Sequence, residues 1–198
     1  MRTKEGNKEK DIIEAAVKVF AKEGYHNAKI SKVADQAGVS TGSVYLYYES
    51  KEDLLLEIFK QLWLELSTKT QALVHRSDVD SLGKLEGMID LLFDMFASNP
   101  SLGIVFVNEQ NHLVQRGGGD FTPLYEKYLD LAQQVLNEGI KNGTFNPNIE
   151  LKVVRHFVFG GMRNLIHQWA HDPREYPLDM IRMNVKSIMK NGILLSHK

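Results

Sequence analysis

Apolar residues recur at intervals of three and four along nearly the whole chain, and the alternation that marks a half-buried strand is almost absent. The pattern predicts an all-α protein. Ile12, Ile13, Ala16, Val17 and Phe20 make one face of a helix over about residues 8–23, which Gly24 stops as a C-terminal glycine. Ile30, Val33, Ala34 and Ala37 define a second, short helix ended by Gly38, and the Ser40 hydroxyl can cap a third. Two short helices joined by a glycine-containing turn form a helix-turn-helix unit, here over about residues 29–48.

Downstream, Leu54, Leu55, Ile58, Leu62 and Leu66, with Trp63 near them, lie along a long linking helix over about residues 53–72. Leu85, Met88, Ile89, Leu92, Phe93 and Phe96 give a further face, ended by Asn99-Pro100. Residues 102–114 are apolar on more than one side, so they are buried deeply or line something. The stretch QRGGGDF, 115–121, reads as a loop, because a phosphate-cradling glycine run needs a preceding strand and a Gly-Lys-Ser/Thr ending. Thr122-Pro123 then opens a helix as cap and first-turn proline, and Asn142-Gly143 closes it. Asn148 is placed to cap a helix over 149–170, and a last helix is expected over about 179–195. The expected organisation is an N-terminal three-helix domain, residues 6–66, joined by the linking helix to a larger helical domain, residues 67–198.

The third helix carries the chemistry. Val44 and Tyr48 are four apart and share a face, which leaves Thr41, Ser43, Tyr45 and Tyr47 pointing largely elsewhere. A helix that enters a DNA major groove needs small residues for close approach, and hydroxyls and aromatic edges for phosphates and base edges. Gly42 costs up to ~1 kcal/mol in a helix relative to alanine, which is odd unless close approach is wanted. The plain alternative is a loosely packed surface turn.

Composition narrows the reading. With 43% hydrophobic side chains, 198 residues can bury a substantial core. Twenty-four basic residues against 25 acidic ones give a net charge of -1, so any DNA-binding surface must be local. Arg2, Lys4, Lys8 and Lys10 form a short basic arm or a solvated terminus. The absence of cysteine removes disulfides and thiolate metal sites. A polar N-terminus without a signal sequence, and no apolar run near the ~18 residues of a membrane span, lead to the expectation of a soluble, cytoplasmic protein with no membrane partner.

The order Gly24-Tyr25, Ile30, Val33-Ala34, Ala37-Gly38-Val39-Ser40, Gly42, Val44-Tyr45, Tyr47-Tyr48, Ser50-Lys51-Glu52 and Leu54-Leu55 resembles the DNA-binding domain of the TetR family of transcriptional regulators over about the first third of the chain. The resemblance implies that helices two and three read DNA, with contacts from Lys29, Ser31, Ser40, Thr41, Gly42, Ser43, Tyr45 and Tyr47. It also implies that Lys51 touches phosphate and that Val44 and Tyr48 are core. Two departures stand out. Ala28 and Lys29 occupy positions where the family commonly has a hydroxyl residue, so Lys29 would supply the phosphate contact as a charge and Asn27 the cap. Tyr48 replaces the usual phenylalanine, and its hydroxyl needs a partner or a route to solvent.

The resemblance further implies a homodimer on a palindromic operator. The two long apolar helices over 122–142 and 149–170 look like the pair that forms the family's four-helix dimer seam, and Gly160-Gly161 suits close packing there or clearance for a ligand. The segments GYH, ISKVADQAGV, VYLYY, SKEDLLLEIFK and HQWAHD resemble the fatty-acid-metabolism branch, which implies a repressor that releases DNA on binding long-chain acyl-CoA. Phe93, Phe96, Phe106, Gly161, Met162, Asn164 and Trp169 are the candidate walls of an effector pocket, or ordinary core, with Arg163 or Arg116 as partners for CoA phosphates. Ligand between the middle helices would shift the linking helix and change the separation of the two reading heads. No cofactor beyond the effector is called for.

Two alternatives stay open. An amphipathic cation, drug or other lipid-like effector would need inward carboxylates, for which Asp90, Asp94 and Glu109 are the candidates. A metal-dependent enzyme would use His167 and His171, four apart, with His156 upstream, but the carboxylate of a His-Glu-x-x-His pattern is missing. The chain is expected not to be an enzyme.

Overall fold

The computed structural model describes residues 8–115 and 121–194, without the side chains of residues 111, 112, 114 and 115. The start of the basic arm, Arg116 and the glycine run therefore lie outside the described residues. Among the described residues the chain forms nine helices: α1 (Lys8–Glu23), α2 (Ile30–Ala37), α3 (Thr41–Tyr47), α4 (Lys51–Val74), α5 (Ser81–Ala97), α6 (Pro100–Gln115), α7 (Thr122–Lys141), α8 (Leu151–His171) and α9 (Leu178–Ile193). The only β-type pairing in the described residues is one isolated bridge between Phe145 and Leu194. No single helix among them is long and apolar enough to cross a membrane.

The chain divides into two compact units. The first holds the described residues up to Leu62 and those of Ser101–Thr122, and the second holds Trp63–Pro100 and the described residues after Thr122. Residue 66, where sequence reading places the domain boundary, falls inside α4, and most of α6 goes with α1 to α3 rather than with the later helices.

In the first unit α1 buries Ile12, Ile13, Ala16, Val17 and Phe20, the face its periodicity predicts. Gly24 ends it with φ 75°, a left-handed conformation that is costly for a side chain with Cβ. Gly38, with φ 69°, ends α2 in the same way, its N–H directed at the carbonyls of Ala34 and Asp35. These two glycines set the angles at which α2 leaves α1 and α3 leaves α2. Asn27 does not cap α2: its amide donates to the Glu23 carbonyl at 3.4 Å and so serves the end of α1, while Lys29 holds the N-cap position without a side-chain bond. The α4 helix starts two residues earlier than its pattern suggests, because the Ser50 hydroxyl accepts from the Asp53 N–H at 3.0 Å. Phe59 of α4 lies 6.5 Å from Phe106 and 5.4 Å from Phe121, ring to ring, and all three are fully buried. Burial of such rings contributes roughly 1.5–3 kcal/mol each.

In the second unit Trp63 packs against Tyr125, Tyr128 and Phe159 at 4.9, 5.5 and 6.0 Å between ring centroids. Asp80 caps α5, its carboxylate accepting from the Gly83 N–H at 2.7 Å. A polar tie binds α5 to α7: the buried Lys84 ammonium donates to both carboxylate oxygens of Glu138 at 3.0 Å, Ser81 donates to Glu138, and Asn142 donates to Ser81. Next to Glu138, the ring of Phe145 lies against the backbone of Gly139, where an added Cβ would overlap it. Two expected caps are corrected. Thr122 lies inside α7 with its hydroxyl buried and without a hydrogen bond, and α8 is capped by Glu150, which accepts from the Lys152 N–H, rather than by Asn148.

Candidate nucleic-acid interface

The candidate reading surface is built on α2 and α3. Ser40 caps α3, its hydroxyl accepting from the Ser43 N–H at 3.1 Å and lying 2.8 Å from the Ser43 hydroxyl. Val44 and Tyr48 are buried, as their four-residue spacing predicts. That anchors one face of α3 and leaves Thr41, Gly42, Tyr45 and Tyr47 exposed, with Ser43 partly so. Lys29 and Ser31 are exposed at the start of α2. The α3 segment TGSVYLY carries no charged side chain, so what it presents outward is hydroxyls, aromatic edges, bare backbone at Gly42 and one alkyl group.

That alkyl group is Leu46, 84% exposed, which reading the sequence for hydroxyls and aromatics overlooks. A signal was present: at about 100° per residue, Leu46 stands about 200° from Val44, opposite the buried face. Gly42, four residues back, shares that outermost face.

Lys51 behaves differently from expectation. Its ammonium donates to the carbonyls of Tyr25, His26 and Ala28 at 2.6, 3.0 and 3.1 Å, and lies 4.6 Å from the centre of the Tyr25 ring. Three donors meet three acceptors, so no N–H remains for a phosphate. The lysine ties the start of α4 to the turn between α1 and α2. Tyr48 also differs from a phenylalanine in kind: its hydroxyl is buried without a partner of hydrogen-bond geometry, and burial, then the Glu9 and Glu57 carboxylates, push its pKa up.

The effector candidates differ in burial and fall in both units. Phe93, Phe96 and Phe106 are fully buried and Trp169 nearly so, with Phe106 in the first unit and the other two phenylalanines in the second. Asn164 and Gly161 are exposed. The second unit does contain a small, partly open apolar cavity, of about 40 Å³, whose lining includes Met88, Tyr128, Val158, Phe159 and Met162 and one cation, Arg155. Arg163 follows on the same helix, its pKa lowered by burial and supported by Tyr125. The Tyr125 hydroxyl is raised by burial and then Glu126, against the pull of Arg155 and Arg163.

Two of the three carboxylates that a cationic effector would need are paired with α9. Asp90 accepts from Arg182 at 3.3 Å and Lys186 at 2.5 Å, and Asp94 accepts from Arg182 at 2.6 Å, which ties α5 to α9. Glu109 is buried on α6, in the first unit. The His167 and His171 rings lie 4.4 Å apart, and burial, then His171 and Arg163, lower the His167 pKa. Among the described residues no three metal-ligating side chains gather.

A second surface faces outward on α8 and α9. Phe157 is 75% exposed, and with Val158, Gly161, Leu165, Ile188 and Gly192 it lines an open apolar groove of about 360 Å³. The α7 helix, the other member of the expected seam pair, buries its apolar residues Tyr128, Leu129, Leu131, Val135 and Leu136, and the open groove is lined by α8 and α9 alone.

Residues 12–58 match the family described as bacterial regulatory proteins, tetR family, and residues 60–192 match the YsiA-like protein, C-terminal region. The chain is 30% identical over 184 residues to the fatty acid metabolism regulator protein of Bacillus subtilis (strain 168), across 92% of this chain and 93% of the relative. Among solved structures, the fatty acid degradation regulator FadR from Bacillus halodurans is similar with a TM-score of 0.82 at 30% identity, over 99% of this chain and 100% of that one. The transcriptional regulator FadR from Bacillus subtilis, in complex with stearoyl-CoA, gives a TM-score of 0.81 at 29% identity, over 93% and 98%. Two family matches that together run from residue 12 to residue 192, with a relative at 30% identity, lead to one assignment: the chain belongs to the TetR family of bacterial regulatory proteins.

Proposed function

We propose that the chain is a ligand-responsive transcriptional repressor that binds a palindromic operator as a homodimer and releases it when long-chain acyl-CoA binds the sensor helices. The observation that carries the DNA half is the outward face of α3, where Thr41, Gly42, Ser43, Tyr45 and Tyr47 stand clear of the core with no charge among them. Lys29 and Ser31 on α2 supply neighbouring phosphate contacts. Residues 6–66 act as the reading head and residues 67–198 as sensor and dimer domain. A regulator of this kind works where its operator is, in the cytoplasm.

The dimer reading rests on the open apolar groove of α8 and α9, because a two-fold copy of the same face would bury Phe157 and Ile188 and bring two heads to two half-sites. Support for the effector comes from the stearoyl-CoA bound to the relative's structure and from Arg155 in the wall of an otherwise apolar cavity. At about 40 Å³ that cavity is far below the roughly 300 Å³ of a ligand pocket, so an acyl chain must part the surrounding helices. The α4 helix is unbroken from Lys51 to Val74 and carries that displacement towards the reading head. Effector and operator then weaken each other by one shared coupling, typically ~1 to 3 kcal/mol.

The test is a titration of the full chain against labelled DNA from upstream of its own gene, with and without stearoyl-CoA. Release by stearoyl-CoA, blunted in Arg155→Met, is the expected result. Binding that stearoyl-CoA leaves unchanged would discard the effector, and no binding at low salt would discard the operator reading.

A further inference from the structure

Two features of α3 serve nothing inside the protein. Leu46 is 84% exposed on a helix whose other outward groups are polar, aromatic or absent. Gly42 lies one turn away on the same face, and a Cβ built there would meet nothing nearer than the Ser40 hydroxyl at 3.9 Å. Its φ is not positive, so neither packing nor backbone conformation calls for glycine. A bare backbone beside an isolated alkyl group, both opposite the buried Val44, fits a partner that comes close and offers a small apolar feature.

The major groove has one such feature, the C5 methyl group of thymine. We infer that Leu46 is a specificity-determining residue, whose side chain contacts a thymine methyl at one position of each operator half-site, with Gly42 setting the depth of approach. The inference rests on the assignment of α3 as the reading helix. Polar neighbours cannot replace this contact: the hydroxyls of Thr41 and Ser43 suit phosphates and base edges, and the Ser40 hydroxyl is already held by the α3 cap.

Deoxyuridine differs from thymidine only in lacking that methyl group, which isolates the contact. The operator is first selected from random DNA with the full-length protein, and each symmetric pair of thymines is then replaced by deoxyuridine. Affinities of wild type and Leu46→Ala are compared at fixed salt. Burial of one methyl group per half-site predicts that a single symmetric position costs wild type about fifteenfold. The same replacement should cost Leu46→Ala less than about twofold. Leu46 touches no core, so the variant keeps its melting temperature and dimerisation. Wild type indifferent to every replacement, or Leu46→Ala losing as much as wild type, would overturn the inference while leaving α3 as the reading helix. Failure to select any sequence would overturn both.

Discussion

At the scale of single residues, Gly42 and Lys51 separate function from structure in opposite ways. Gly42 has room for a methyl group, so Gly42→Ala should raise stability by up to about 1 kcal/mol through helix propensity. The same methyl holds the backbone off the groove and should weaken operator binding about tenfold or more. A rise in urea midpoint together with a loss of affinity, measured on one preparation, is the expected pair of results. Lys51→Ala should lose both properties. It removes three charge-assisted bonds, two of them partly buried, at a cost of about 1–3 kcal/mol, and the turn before α2 loosens with it. A variant as stable as wild type would return Lys51 to the role of a phosphate contact.

Among the elements, α3 and α7 show how local rules and packing divide the work. The seven residues of α3 are too few to be stable alone, and the Ser40 cap with the buried Val44 and Tyr48 holds them in place. All of that is legible in the sequence, because capping and four-residue spacing are local. The α7 helix depends on something that periodicity does not reveal, the Phe145 ring returning across Gly139. A fully buried ring has no free direction, so Gly139→Ala should destabilise the second unit by roughly 1–3 kcal/mol. A calorimetric scan in which the midpoint stays unchanged would mean that the ring has room to move.

For the molecule as a whole, the informative surface is the apolar face of α8 and α9. Phe157→Glu places a charge where the seam is proposed and should shift the protein from dimer to monomer in sedimentation, with helical content unchanged because the side chain is 75% exposed. Operator affinity should fall with it, since one head meets one half-site. A variant that remains dimeric would move the seam elsewhere. The ionic ties of Asp90 and Asp94 to Arg182 and Lys186 bear on the effector at the same scale, because carboxylates already paired to α9 are not offered to a cationic ligand.

Sequence alone determined what depends on neighbours along the chain. The all-α class, the boundaries of α1, the left-handed glycines at 24 and 38, the Ser40 cap and the burial of Val44 and Tyr48 all follow from spacing and backbone chemistry. Tertiary structure decided what depends on which distant groups meet. It directed the Lys51 ammonium to the carbonyls before α2, tied Lys84 to Glu138, and placed Phe106 in a different unit from Phe93 and Phe96. It also lined the open apolar groove with α8 and α9. The reason is physical. Helical periodicity reports that a face is apolar but not what covers it, and a long flexible cation finds its acceptors only once the chain has brought them within about 3 Å.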